Sequence, residues 1–181
     1  MGHLGSVIDD KIRQFIEAQQ VFFVASAPLD PQGHVNLSPK GLDTFRFLGP
    51  STVAYLDLTG SGVETIAHLR ENGRIVIMFC AFNGSPKIVR LHGCGRAIEV
   101  HENEFNSLKS HFPEREGARA IVVVEISRVS DSCGFGVPIL KYAEDRPQLD
   151  AWIQNKGPGG LTKYRREKNR TSLDGLPGIS T

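Results

Sequence analysis

The stretch VFFVASAPLDPQGHVNLSPK, residues 21–40, predicts a β-hairpin and sets the fold class. Residues 21–27 carry apolar side chains on both faces, the pattern of a buried strand. Residues 28–33 contain Pro, Asp and Gly, which favour a turn between antiparallel strands. Residues 34–40 then alternate in polarity, as a second strand with two unlike faces would.

The second strand of this hairpin has one polar face. Asn36, Ser38 and Lys40 share one side, and Val35 and Leu37 share the other. Two interpretations of the polar side stay open. It is the solvated face of an edge strand, or it is a ligand-facing stripe in which Ser38 donates a hydrogen bond and Lys40 binds an anion.

Similar patterns continue on both sides of the hairpin and predict a mainly β fold. The further predicted strands are residues 44–48, 52–58, 74–82, 87–100 and 120–129. The predicted helices are residues 6–19, 62–71 and 103–110, with short helices near 148–154 and 161–168. A single strand-helix-strand unit, around residues 61–71, excludes a doubly wound parallel sheet. The expected architecture is a predominantly antiparallel β-barrel with flanking helices.

Domain organisation and composition narrow the class of protein. Residues 1–145 are predicted to form the barrel domain, and residues 146–181 a helical and irregular extension. The net charge of +1 excludes a strong field for nucleic acid or membrane, and the longest apolar run is too short to cross a bilayer. The three cysteines form no CxxC pair, which favours a reduced, cytoplasmic setting.

A second candidate site is the turn DLTGSG, residues 57–62, between a predicted strand and a predicted helix. The first amide groups of a helix lack internal partners and lie at the positive end of its dipole, so such a turn suits a phosphate. Ser61 and Glu64 also match a capping box, in which case the turn only starts the helix. Because Glu64 would repel a phosphate, an anion here needs a cation such as Lys40 or Arg90.

Arg90 is the other cation that sequence reasoning brings forward. It lies on the long strand of residues 87–100, on the same face as His92, Cys94 and Arg96. This face is either solvated, or paired through Arg90 with Asp57 or Glu99, or turned toward a ligand.

Taken in order, these segments resemble the pyridoxamine 5'-phosphate oxidase-like superfamily of flavin-binding split barrels. The resemblance rests on residues 22–27, 33–40, 53–61, 72–74 and 90–97. It implies a homodimer that holds FMN between its subunits. The FMN-binding residues that it indicates are Ser38, Lys40, Thr59, Ser61, Gly62, Thr65 and Arg90. The turn itself adds Asp57 and Gly60 to the predicted cofactor-binding set.

One departure from the family pattern bears on the substrate. The true oxidases carry an Arg-Lys pair in the phosphate turn, where this chain has Gly62 and Val63. The resemblance is therefore to a branch whose substrate is not pyridoxamine phosphate. The predicted function is an FMN-dependent oxidoreductase acting on a small molecule, with no catalytic residue and no metal site assigned.

Two other functions remain open, and the subunit contacts of the expected dimer can also be predicted. The same barrel could serve as a non-catalytic flavin- or haem-binding carrier or sensor, with His34 or His92 as the nearest haem ligands, or as a deazaflavin-dependent reductase. The segment after Cys133 is expected to pack across the partner subunit. The expected apolar interface residues are Phe22, Phe45, Phe47 and Phe79.

Overall fold

The computed structural model describes residues 2–180, apart from the side chains of His3 and Leu4. The strands are β1 (Gly2–Gly5), β2 (Phe22–Ser26), β3 (Asn36–Lys40), β4 (Phe45–Phe47), β5 (Thr52–Leu58), β6 (Arg74–Cys80), β7 (Ile88–Glu99) and β8 (Ala118–Ser132). The helices are α1 (Asp10–Glu17), α2 (Glu64–Asn72), α3 (Asn103–Lys109) and α4 (Gln148–Lys168). Every strand predicted from the sequence is present, and β1 was not predicted.

The strands form one antiparallel sheet in the order β3-β2-β6-β7-β8-β5-β4, with β1 added to β8. The sheet curls until its two ends meet. Phe22 of β2 packs against Phe45 of β4 with ring centroids 5.4 Å apart, and Lys40 of β3 reaches Asp57 of β5. The expected antiparallel split barrel with flanking helices is confirmed.

The core of the barrel is aromatic where the two ends of the sheet meet. Phe22 and Phe79 are buried, and Phe45 lies 5.0 Å from Phe79 between ring centroids. Phe47 packs on Phe45 in an edge-to-face contact. Phe22 and Phe79 are buried within their own chain, so the expectation that these two rings face a subunit interface is wrong. Phe45 and Phe47 are half-buried, and their place at an interface stays a prediction.

Helix α2 begins later than the sequence predicts. Its first residue is Glu64 and its N-cap is Val63, which makes no side-chain capping hydrogen bond. The capping box predicted for Ser61 and Glu64 is therefore wrong. Gly73 ends the helix in the left-handed conformation, as Asn72-Gly73 predicts.

The C-terminal segment packs on its own barrel where the structure describes it. Helix α4 is interrupted at Gly157, so it consists of two short helices, close to those predicted. Ile179 joins an apolar cluster with Val63 and Ile66, and Asp174 accepts hydrogen bonds from the backbone and the ring of His34. Packing of this extension on a partner subunit stays a prediction.

Two smaller observations bear on the setting of the protein. Cys80, Cys94 and Cys133 are all unpaired, as the sequence predicts. None of the helices between residues 2 and 180 combines the length and the apolar character that a bilayer crossing requires.

Candidate functional site

The polar face of β3 turns inward and its apolar face turns outward. Val35 and Leu37 are 73% and 63% exposed, whereas Asn36, Ser38 and Lys40 are half-buried. Asn36 donates to Thr65 Oγ1 over 2.9 Å and accepts from Ser38 Oγ over 3.2 Å. The stripe is thus joined to the start of α2, which favours the ligand-facing interpretation over the solvated one.

Asp57 is the buried anion at the centre of the site. Its carboxylate accepts from Lys40 Nζ over 2.8 Å and from Arg119 Nε over 2.7 Å, and the residue is 1% exposed. Burial alone would raise the pKa of this carboxyl, but the charges of Arg119 and Lys40 lower the pKa to about 2. The two cations share a single carboxylate, so one positive charge of the group is left for a ligand.

The turn before α2 presents backbone amide groups that have no partner. The first helical hydrogen bond runs from the N–H of Ala67 to the carbonyl of Val63. Among residues 2–180, the N–H groups of residues 61–66 donate to no protein acceptor. These groups and the helix dipole together favour an anion.

A cleft of about 180 Å³ brings these features together. It is lined by Asn36, Ser38, Lys40, Leu58, Gly60, Gly62, Glu64, Thr65 and Arg119. Of the predicted site residues, Ser38, Lys40, Gly60, Gly62 and Thr65 line the cleft, and Asp57 lies behind Lys40 and Arg119. Glu64 is the opposing charge, since its carboxylate folds back over Gly62.

Besides Asp57, three predicted site residues do not line this cleft. The Thr59 hydroxyl donates to the carbonyl of Gly117 over 2.7 Å and accepts from Arg165 Nε over 2.9 Å, so its side chain is engaged on the other side of the turn. The side chain of Ser61 is exposed. Arg90 donates to Ser132 Oγ and hydrogen bonds to neither Asp57 nor Glu99.

Sequence reasoning did not place three polar residues at the turn: Arg119, Arg165 and Asn169. Arg165 belongs to a basic run of the C-terminal segment, and the charge pattern alone favours a solvated or partner-facing surface there over an anion site. Arg119 interrupts an apolar strand, and that interruption was the available signal, but the predicted strand began after it. Arg165 and Asn169 reach the turn from the C-terminal segment. Burial and the nearby Arg119 guanidinium lower the pKa of Arg165, which reflects how closely positive charge is gathered here.

A larger cavity of about 640 Å³ adjoins the cleft at Lys40. The exposed segment after β8 contributes Leu140 and Tyr142 to its wall, and helix α4 contributes Leu149. Its wall also includes Val21, Pro39 and Leu42. Lys40 therefore lies between a small polar cleft and a large, mainly apolar space.

Comparison with known proteins identifies the family. The family model described as "Pyridoxamine 5'-phosphate oxidase" matches residues 8–133. The chain belongs to the pyridoxamine 5'-phosphate oxidase family. The matched range holds the hairpin, the turn and Arg119, whereas Arg165 and Asn169 lie outside it.

One curated relative is similar to almost the whole chain, and solved structures are similar to a smaller part of it. The pyridoxamine 5'-phosphate oxidase family protein ustO of Aspergillus flavus is 41% identical over 95% of this chain and 76% of its own length. Among solved structures, HupZ of Group A Streptococcus has a TM-score of 0.55 and 18% identity, over 70% of this chain and 94% of HupZ. A candidate pyridoxamine 5'-phosphate oxidase of Lactobacillus delbrueckii has the same TM-score and identity, over 72% and 99% of the two chains. At this identity, the two structures support the fold alone.

Proposed function

We propose that this protein is an FMN-dependent oxidoreductase whose cleft at the start of α2 holds the flavin phosphate. The observation that carries the proposal is the cleft itself, where Lys40 and Arg119 meet a helix start with unpartnered amide groups. A phosphate group has about two negative charges and several acceptor oxygens, so it matches both features. Membership of the family supports the same assignment.

The residues present fit a phosphate without the Arg-Lys pair of the true oxidases. Because Gly62 has no side chain, a phosphate can approach its backbone closely. A side chain at this position would collide with the Glu64 carboxylate. Arg119 is 6% exposed and is fixed by Asp57, so it supplies a positioned charge from β8 in place of one from the turn. Two cations, Lys40 and Arg119, face two carboxylates, those of Asp57 and Glu64, so the net attraction for a phosphate comes from the unpartnered amide groups and the dipole of α2 together with the fixed position of Arg119.

The cavity beyond Lys40 gives the rest of the ligand room. FMN would supply the electron transfer when bound, and the protein would bind it, orient it and limit the access of water. Ser38 and Asn36 offer hydrogen-bonding groups on the cleft side of Lys40. No described side chain is assigned a proton-transfer role, and the substrate is proposed to be a small molecule.

The haem alternative has weaker support than the flavin. His34 is an exposed residue whose ring Nδ1 lies 2.6 Å from Asp174 Oδ1. His92 lies on the same outer side as Val35, where both line a shallow surface depression. Neither residue lines the cleft or the cavity next to it. A deazaflavin cofactor remains the nearer alternative, because it also carries a phosphate.

The absorption spectrum tests the proposal. Protein incubated with FMN and desalted should keep about one FMN per chain and show the paired bands of bound flavin. Anaerobic addition of NADH or NADPH that bleaches these bands would support an oxidoreductase, and bound FMN that neither nucleotide reduces would favour a carrier. A Soret band or a single deazaflavin band in the protein as purified, with no FMN retained, would contradict the proposal.

A homodimer is proposed as the functional form. The outward face of β3 leaves Val35 and Leu37 exposed beside the half-buried Phe23, an apolar surface that a second copy would cover. A partner subunit is also the route by which Arg90 could reach a bound flavin, since within one chain it lies apart from the cleft.

Sedimentation tests this dimer. The wild type should sediment as a dimer at micromolar concentration, and Leu37→Asp should shift it toward the monomer by burying a charge at the interface. Leu29→Asp is the control, because Leu29 is equally exposed at 61% but lies in the hairpin loop. A wild-type monomer that retains FMN would contradict the proposed assembly.

A further inference from the structure

Asn169 is a buried residue whose side chain meets the phosphate turn from behind. It is fully buried, and its Nδ2 donates to the carbonyl of Gly60 over 2.9 Å and to the carbonyl of Ser61 over 3.4 Å. Its own backbone is held on both sides, because its N–H donates to the backbone carbonyl of Arg165 and its carbonyl accepts from the backbone N–H of Ile179. Asn169 is therefore a fixed donor aimed at two successive peptide groups.

These contacts determine where the amide groups of the turn point. A peptide bond is planar, and in the trans form its C=O and N–H point to opposite sides. No peptide bond in residues 2–180 is cis. The Gly60 carbonyl also accepts from Arg119 Nη1 over 3.4 Å, but its shorter contact is with Asn169. Because Asn169 contacts the carbonyls of both Gly60 and Ser61, the N–H groups of Ser61 and Gly62 point away from Asn169.

Both N–H groups are available to a ligand. Neither donates to a protein acceptor within residues 2–180, and the glycines on both sides of Ser61 line the cleft. Successive N–H groups that point to one side form an anion-binding concavity. Arg165 secures the start of the same turn by donating to Thr59 Oγ1 and to the carbonyl of Ala118.

We propose that Asn169 is a positioning residue for the phosphate of the bound flavin, acting through the Gly60 and Ser61 carbonyls. The inference rests on the proposed function of the cleft. It assigns to the C-terminal segment, outside the residues matched by the family model, a part in building the site. Asn169 itself does not line the cleft, so its effect is on the direction of the amide groups.

The unsatisfied side-chain oxygen of Asn169 strengthens this interpretation. Asn169 Oδ1 is buried and has no hydrogen-bond partner among the described residues. An unsatisfied buried oxygen is costly, so the residue is not explained as a simple filler of the space. Its amide donor is the part of the side chain that the fold uses.

The test compares FMN with riboflavin, which lacks the phosphate, by fluorescence titration of the full chain. Asn169→Leu keeps the size of the side chain but removes the donor. The preference for FMN over riboflavin should fall about tenfold to a hundredfold, because charge-assisted hydrogen bonds from two amide groups are weakened. Riboflavin affinity should change by less than about twofold. Asn169→Ala, which cannot overpack the site, should change the preference in the same direction.

Asp174→Ala is the matched control. It releases the same C-terminal segment from His34 without touching the turn, so it should lower thermal stability but keep the preference for FMN. A preference retained in both Asn169 variants would overturn the inference while leaving the phosphate cleft intact. An equal fall in Asp174→Ala would also overturn it, because general loosening would then explain the loss. A wild type without any preference for FMN would overturn the proposed function, and this inference with it.

Discussion

Replacing Lys40 by alanine should weaken FMN binding by roughly one to two orders of magnitude. Lys40 Nζ lines the cleft and pairs with Asp57, but one carboxylate cannot neutralise both Lys40 and Arg119. A charge-assisted hydrogen bond is worth about 1.5–3 kcal/mol, and about 1.4 kcal/mol corresponds to a tenfold change in affinity. Removing the ammonium also leaves Asp57 less neutralised, which adds to the repulsion of a phosphate.

Riboflavin and two further variants make this measurement specific. Riboflavin should lose far less affinity than FMN in Lys40→Ala. Lys87→Ala is the matched control, since Lys87 lies over the ring of Phe15, 5.4 Å from its centroid, and does not line the cleft. Glu64→Gln should strengthen FMN binding a few-fold, because Glu64 does not cap the helix and its carboxylate lines the cleft. Equal losses for FMN and riboflavin in Lys40→Ala would show that Lys40 does not bind the phosphate.

Asp57→Asn should lower the free energy of unfolding by about 3–5 kcal/mol, because removing one partner from a buried ion pair leaves uncompensated charge. The charges left behind are those of Arg119, which is 6% exposed, and Lys40. Chemical denaturation at neutral pH measures the effect. Asp43→Asn is the matched control, since Asp43 also pairs with an arginine but its side chain is 70% exposed, and its loss should cost less than about 1 kcal/mol.

The same carboxylate gives the wild type a defined acid sensitivity. The pKa of Asp57 is lowered from 3.8 to about 2 in the folded protein. A lowered folded-state pKa stabilises the fold above the unfolded pKa, and this stabilisation disappears as the pH falls from about 4 to about 2. The loss should be about 2–3 kcal/mol, and Asp57→Asn should reduce it. An unfolding free energy with the same acid dependence in both proteins would contradict this assignment.

The fold was predictable because its strands are marked by local patterns. Short turns join β4 to β5 and β6 to β7, and each of the seven strands β2–β8 has its own apolar run or alternation. Strand β1, GHLG, has no such pattern and is recognised only by its pairing with β8. The start of α2 was misplaced because a capping-box spacing at Ser61 does not show whether the chain is helical there.

The site was predictable only for residues close in sequence to the hairpin and the turn. Ser38, Lys40 and the glycines of the turn come from motifs that can be read locally. Arg119 pairs with Asp57 across 62 residues, and Asn169 contacts Gly60 across 109. No local pattern records such contacts. Arg90 shows the opposite failure, because a charged residue on a long strand does not reveal which side of the barrel it occupies.

The most direct test of the account is the affinity of the wild-type protein for FMN compared with riboflavin, measured in one buffer at neutral pH and free of phosphate. The cleft of Lys40, Arg119 and the amide groups before α2 should bind the phosphate, so FMN should bind at least tenfold more tightly than riboflavin. Equal affinities for the two ligands, or no binding of either, would contradict a phosphate site at this cleft.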